Sequence, residues 1–512
     1  MRWTLGLGLG LLWIAACGSD DGTNDRQGNN GGSNGSSGAT GGGGAGGSSG
    51  AASVGGGSSG GSGAGGSSGS SGSAGSSGSA GSSGSAGSSG SAGSSGSGGV
   101  ADAGTDANVG GVGGVGGAVD GGCEVVSVGT TSSLWTHTFG TSVNDRAADV
   151  TTNVSDDVFI VGYTSGALGT ADPPGDDAFV QKRDSSGNVL WTEQFGTFAS
   201  DYASTVRMDI QSNIIVGGTT SGGLEGANQG AFDGFLRKFK DGTTGPELVW
   251  THQFGTDKDE YVHAVATDIL DNVVMTGRTL GDLAGTSAGD ADVYVRKLFS
   301  NGSEAWTVQF GTPGIEQGMG VGTDQLGAVY VAGYTTGDLG GPNAGGWDGF
   351  LRKLDAVTGA VVWTRQWGGT GDDAAWSLSV DLAGNAYVGG WVSDVCQHSG
   401  ADGFVAAYDK DGNLRWTHQV GGAAFNQVLT AAIGPQSRLA IGGTRIGSSG
   451  NLEAFARLLD ATGKPLWSMD TYATAAEEYT NGVWLDLQGN LLTVGHDQTN
   501  GNNEAFVTKL AP

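Results

Sequence analysis

The sequence predicts an all-β fold, a seven-bladed β-propeller closed by its own N-terminal strand, and three observations predict it. A tryptophan recurs at Trp135, Trp191, Trp250, Trp306, Trp363, Trp416 and Trp467, at spacings of 56, 59, 56, 57, 53 and 51 residues. A period of that length marks a repeat architecture. Between successive tryptophans lie short stretches of alternating apolar and polar residues, separated by Gly, Asn and Asp, which read as four antiparallel strands joined by turns. The array opens on a lone fourth strand, residues 134–139, and ends after a third strand, residues 505–510. The first strand should therefore complete the last blade and leave the ring without open ends.

Within the second unit, residues 201–209 read as a first strand and residues 211–213 as a turn. Residues 214–219 form a short apolar second strand, followed by a glycine-rich loop over 221–231. Residues 233–239 alternate as a third strand, and 248–254 carry the tryptophan on a fourth. First strands are expected to begin near Arg146, Ala203, Val262, Gln317, Ala374, Gln427 and Asn481. Third strands carry Phe179, Phe235, Tyr294, Phe350, Phe404, Phe455 and Phe506. The Trp and Phe of each fourth strand should pack between adjacent blades, where burying an aromatic contributes a few kcal/mol.

The chain before this array is of another kind. Residues 1–16 read as a signal peptide, with Arg2 before an apolar run too short to span a bilayer permanently. Ile14-Ala15-Ala16-Cys17 resembles the bacterial lipobox, which implies that Cys17 becomes the lipidated first residue of the mature protein. Residues 17–122 are Gly, Ser, Ala and a few Asp, with Ser-Ala-Gly-Ser-Ser-Gly repeated four times from Ser73. Almost no large apolar side chain is present to offset the entropy of ordering. This segment is expected to be a disordered tether with an r.m.s. span on the order of 55 Å. The propeller is expected over 123–512.

The formal net charge of −28 excludes nucleic acid as a partner, because phosphate affinity needs a basic surface. No polybasic run favours anionic lipid. The three cysteines, Cys17, Cys123 and Cys396, form no disulfide framework and no CxxC metal site. A bridge between Cys123 and Cys396 remains open outside the cytoplasm, although the two fall on opposite faces of the expected fold.

The repeated pattern Trp-Thr-x-Gln-Phe-Gly, an acid, Asp-x-x-Gly-Asn-x-Tyr-Val-x-Gly and Asp-Ala-Phe-Val-x-Lys, seen at residues 381–390 and 177–182, resembles the SBBP-type β-propeller repeat of bacterial envelope and secreted proteins. The resemblance covers 134–510 and implies the fold, not an active site. Blade six departs most, with Val420, Asn426 and Gly434 in place of the pattern's Phe, acid and Asp.

One further position repeats. Asp145, Asp201, Glu260, Glu316, Asp373 and Glu478 are acids at the same place in six of seven units, Asn426 being the exception. They are expected where a fourth strand loops into the next innermost strand, ringing one face near the channel. They are read either as a rim that collects cations, calcium among them, or as carboxylates that accept backbone N–H groups and hold each loop. One copy per blade favours the second reading. Asp209, Asp268, Asp324, Asp381 and Asp486 read as turn residues. Asp409-Lys410-Asp411-Gly412-Asn413 reads as a hairpin turn, since the other ligands of a calcium loop are missing. The six histidines show no ligand spacing, and no nucleophile elbow or phosphate loop is visible.

The loops between second and third strands vary, and Trp347 and Cys396 are their conspicuous non-repeated residues. That face is the expected ligand surface, since loops carry function on a rigid scaffold. The function expected is a lipid-anchored, non-catalytic binding or scaffold module of the bacterial cell envelope. It would be monomeric, without a cofactor, and take a protein or polysaccharide as ligand. Two alternatives stand beside it. Residues 354–363 and 459–467 resemble the turn-and-Trp motif of quinoprotein-like propellers, a group that includes an outer-membrane assembly lipoprotein. An envelope enzyme, a quinoprotein dehydrogenase or a polysaccharide-active propeller, is the other.

Overall fold

The computed structural model describes residues 131–169, 175–393, 401–420, 425–447, 450–472, 476–498 and 501–512. Residues 1–16, expected as a signal peptide, residues 17–122, expected as a tether with Cys17 at its head, and Cys123 and Cys396 lie outside them.

The described residues form seven four-stranded antiparallel sheets. Blade 1 comprises Asp145–Thr152, Val158–Thr164, Asp177–Arg183 and Val189–Phe195. Blades 2 to 6 repeat this order along the chain. Blade 7 comprises Glu478–Leu485, Leu491–Asp497 and Glu504–Leu510, and its fourth strand is Ser133–Phe139 from the start of the array. Trp135 pairs with Lys509 and Phe139 with Ala505. Neighbouring inner strands pack against one another, and Glu478–Leu485 packs on Asp145–Thr152. The ring is thus closed both at its hub and through the shared blade.

Alternation places one face of each sheet against the next, and a hydrophobic cluster fills each of the seven interfaces. The fourth-strand aromatic of one blade meets the third-strand aromatic of the next edge to face. Phe139–Phe179, Phe195–Phe235, Phe254–Tyr294 and Phe310–Phe350 have centroids 6.1, 6.0, 5.6 and 6.3 Å apart. Such geometry adds about 1 kcal/mol per pair beyond area burial. Val420 breaks the series and packs with Phe455.

The repeated tryptophans hold the interfaces from the outside. The indole N–H of Trp135, Trp250, Trp306, Trp363 and Trp416 donates to a carbonyl in the third-to-fourth-strand turn of the following blade, at 3.1–3.3 Å. The turn glycine there, such as Gly302 at φ +85°, rests against the Trp250 ring. Glycine is needed on two counts, for the left-handed backbone and for the absent Cβ.

The turn aspartates are more than turn formers. Asp209 accepts the backbone N–H groups of Gln211 and Asn213 at 2.9 and 2.8 Å, and it pairs with Lys238 at 2.8 Å. Lys297–Asp268 and Lys509–Asp486 repeat the ion pair at 2.9 Å. The lysine of Asp-x-Phe-Val-x-Lys is therefore the counterion of the Asp-x-x-Gly-Asn turn.

Candidate functional site

The acids expected where a fourth strand loops into the next innermost strand lie at the head of the innermost strands. Asp145, Asp201, Glu260, Glu316 and Glu478 are the first residues of theirs, and Asp373 directly precedes Ala374–Val380. The strands begin at the acid because its own backbone N–H finds a partner. Asp145 donates to Asn503, Asp201 to Asp176, Glu260 to Phe232, Glu316 to Ala291 and Asp373 to Trp347, at 2.7–2.9 Å.

Their side chains turn back into the loop. Asp145 accepts the Thr141 N–H at 2.5 Å and the Thr164 hydroxyl at 2.5 Å. Glu260 accepts the Thr256 N–H at 2.6 Å, the Thr256 hydroxyl at 2.8 Å and the Thr279 hydroxyl at 2.6 Å. Glu316 repeats this with Thr312 and Thr335, and Asp373 takes Gly369 and Ser393 amides at 2.5 and 2.8 Å. Asp201 accepts from Thr197 at 2.7 Å, and Glu478 is fully buried. Burial pushes the Asp201, Glu260 and Asp373 carboxyls up, Asp373 to about 6.

A second ring of carboxylates escaped the sequence reading. Asp177, Asp233, Asp292 and Asp348 head their third strands and are buried. Each accepts the side-chain N–H of the glutamine in Trp-Thr-x-Gln: Gln194, Gln253, Gln309 and Gln366, at 2.8–2.9 Å. The amide oxygen of that glutamine accepts from the second-to-third-strand loop, as Gln253 does from Leu224 at 2.8 Å. Both acid rings meet at the glycine that follows the fourth strand, where a Cβ on Gly311 would strike Asp292 and Glu316 together. These acids and glutamines shape the loop face. None of them lines the cavity described next.

At the hub every innermost strand carries a β-bulge at the same place. The register slips around Ala148, Ser204, His263, Met319, Trp376, Leu429 and Asn481. A bulge re-aims its extra side chain, and here all seven line a cavity of about 110 Å³ on the propeller axis. The bulges lie about three residues, or roughly 10 Å, inside the loop face.

The ring is divided. Blades 4, 5 and 6 contribute Met319, Trp376 and Leu429, while blades 7, 1, 2 and 3 contribute Asn481, Ala148, Ser204 and His263. On the apolar side, Trp376 lies 4.7 Å from Trp391. Both belong to an eighth hydrophobic cluster, with Met319 and Tyr334, against which Leu429, Phe425 and Trp347 pack. Trp347 stacks on Tyr334 at 4.8 Å. The non-repeated tryptophan of the loop face is thus continuous with the axial wall.

On the polar side, His263 Nδ1 is 3.0 Å from the Gly318 carbonyl. Burial and the Arg278 charge lower its pKa to about 4, so it is neutral at pH 7 and donates through Nδ1–H. The Asn481 amide donates to the Ala147 carbonyl at 2.9 Å. Asp149 and Arg207 also border the cavity and cancel each other at 2.7 Å. Among the described residues no group of three or more His, Cys, Asp or Glu is placed to hold a metal ion.

The sequence holds one signal for this ring that the motif reading passed over. The second strand of every blade carries a glycine facing the bulge: Gly162, Gly218, Gly277, Gly333, Gly390, Gly443 and Gly495. A Cβ at Gly277 would overlap the Tyr261 carbonyl oxygen, which the bulge pushes into that space, and the other six repeat the relation. Glycine inside a strand is a sign of a bulge or a close backbone approach.

Residues 305–340 match the SBBP family, a beta-propeller repeat. Over 330 residues, 57% of this chain, the sequence is 26% identical to the regulatory protein FlaEY of Caulobacter vibrioides. The match spans 33% of that relative's length. Among solved structures, the Pan2 WD40 domain of Neurospora crassa is similar with a TM-score of 0.44 and 10% identity, over 74% of this chain and 97% of that one. A quinohemoprotein alcohol dehydrogenase of Pseudomonas putida is similar with a TM-score of 0.33 and 11% identity, over 69% of this chain and 65% of that one.

Proposed function

We propose that this protein is a lipid-anchored, non-catalytic binding module of the bacterial cell envelope, carried as a monomer on the acyl chains of Cys17, with a protein or polysaccharide as ligand. One observation carries the reading. The repeated polar residues are committed to holding blades and loops, while the non-repeated ones gather in the axial cavity and on the loop face above it. A scaffold with one individual site is what a binding module needs.

The rim acids fit loop fasteners better than cation ligands, because their oxygens already accept two or three hydrogen bonds each at Glu260, Glu316 and Asp373. Two experiments test the reading together. Fatty-acid labelling of cells expressing the full chain should mark the wild type and fail on Cys17→Ala. The immobilised full chain should retain a specific glycan or protein from solubilised envelopes equally with calcium and with chelator. Retention that needs calcium would reassign the rim acids. Turnover of a glycan or alcohol by the purified chain would replace the binding reading with an enzymatic one.

A further inference from the structure

We propose that the axial cavity is a sugar site that receives the face of one neutral pyranose ring, the end of a glycan chain whose next residues extend toward Trp347 on the loop face. The proposal rests on the binding-module reading and names the ligand class of that same site.

The argument starts from the division of the bulge ring. A ligand with two apolar faces would cover the hydrogen-bonding capacity left over on blades 7, 2 and 3, and a buried polar atom without a partner costs about 1–3 kcal/mol. A fully polar ligand would waste the wall of Met319, Trp376 and Leu429. A pyranose answers both halves. Its axial C–H bonds form an apolar patch suited to an indole, and its hydroxyls point outward to donors and acceptors. On the polar side the Asn481 amide nitrogen is held by Ala147 and His496, the Thr205 hydroxyl by Asp149 and His263 Nδ1 by Gly318, which leaves the Ser204 hydroxyl, the Asn481 amide oxygen and His263 Nε2 to meet the hydroxyls of a sugar.

Charge narrows the class further. Arg207 and Asp149 neutralise each other at 2.7 Å, and Asp149 also accepts the Thr205 hydroxyl at 3.1 Å and the Val206 N–H at 3.0 Å. No net charge is left to select a uronic acid or an amine. Size points the same way. About 110 Å³ is less than the roughly 150 Å³ of an engineered cavity that takes a single benzene ring. The cavity therefore seats one face of a single pyranose, and the rest of the sugar and any further chain stay outside it. Trp376, Trp391 and Tyr334 are buried and back the apolar wall, and the half-buried Trp347 packed on them is the ring of this cluster that a longer chain can meet at the loop face.

The test is calorimetric titration of the full chain with methyl glucoside, methyl galactoside and N-acetylglucosamine. Glucuronic acid and indole serve as charged and apolar controls. At least one neutral sugar should bind with a Kd of about 1 mM or tighter, and glucuronic acid at least about tenfold more weakly. Ala148→Phe adds a ring to the open cavity from its polar side. It should weaken the sugar at least about tenfold while leaving the thermal midpoint unchanged, and Ser204→Phe should do the same. Trp347→Ala should leave the monosaccharide unaffected and weaken a longer oligosaccharide of the same sugar.

Failure of every neutral sugar to bind the wild type would overturn the proposal, as would binding of indole alone. Sugar binding that survives both cavity-filling variants would place the sugar elsewhere and also overturn it. If Ala148→Phe still retains the envelope ligand of the wild type, the binding-module reading stands and the axial sugar site falls. If the wild type retains nothing and binds no sugar, both fall.

Discussion

The backbone N–H of Asp373 donates to the carbonyl oxygen of Trp347 at 2.8 Å. One end of this bond is the acid at the head of an inner strand, and the other is the non-repeated tryptophan that stacks on Tyr334. The Asp373 carboxylate completes the unit by accepting the amides of Gly369 and Ser393. Blade 4's loop and blade 5's inner strand are therefore fixed to each other beside the aromatic cluster that backs the axial wall.

Burial raises the Asp373 pKa to about 6, and Asp348 and Asp372 nearby add to the rise. The unfolded chain should titrate near 3.8. A raised folded-state pKa means that the folded state holds the proton more tightly. The contribution is complete below the unfolded pKa and is lost as pH rises through about 6. It amounts to about 3 kcal/mol at most. Asp373→Asn should flatten the fall of the thermal midpoint between about pH 4 and 7, measured by circular dichroism. An unchanged slope would assign the pH dependence to other groups.

Lys238 and Asp209 are both buried and pair at 2.8 Å. Lys238→Met leaves the carboxylate without its counterion and should cost about 3–5 kcal/mol in denaturant unfolding. The double variant with Asp209→Asn should recover most of that, because the asparagine keeps one acceptor for the Gln211 and Asn213 amides. A double variant as unstable as the single would mean that the loss comes from packing of the lysine stem.

Gly277→Ala sets a methyl against the Tyr261 carbonyl. The bulge at His263 must then flatten or the strands separate, at a cost of about 1–3 kcal/mol. Gly341→Ala is the control, since nothing lies within 4 Å of its added carbon. Equal stability of the two variants would show that the bulge is not what requires the glycine.

Deletion through Phe139 removes the strand that pairs with Glu504–Leu510. It leaves an open sheet edge and exposes the Phe179 face of blade 1. The truncated chain should unfold at a lower temperature and associate at high concentration, seen by differential scanning calorimetry and size-exclusion chromatography. A monomeric variant with the wild-type midpoint would show that contacts of the inner strands alone hold the ring.

The glutamine of Trp-Thr-x-Gln and the aspartate of Asp-x-Phe-Val-x-Lys were both visible as repeated letters. Their bond was not, because Gln309 and Asp292 are partners only once the third and fourth strands pair in register. The rim acids were read at the right position, where the loop meets the inner strand, but the bonds that hold them there were not legible. Whether Glu316 belongs to a loop or a strand turns on the Ala291 carbonyl, which the chain brings near only after the preceding blade has folded.

The sequence by itself determined the number of blades, the order of their strands and the closure by the N-terminal strand. All of these follow from local alternation and from a repeat period, which need no knowledge of distant partners. Only the tertiary structure decided the site. A bulge is a property of a strand pair, so no single strand announces which residue is the extra one. Ala148 and Asn481 stand 333 positions apart in the chain, and they share a cavity because the closing blade brings the two ends of the array to the same axis.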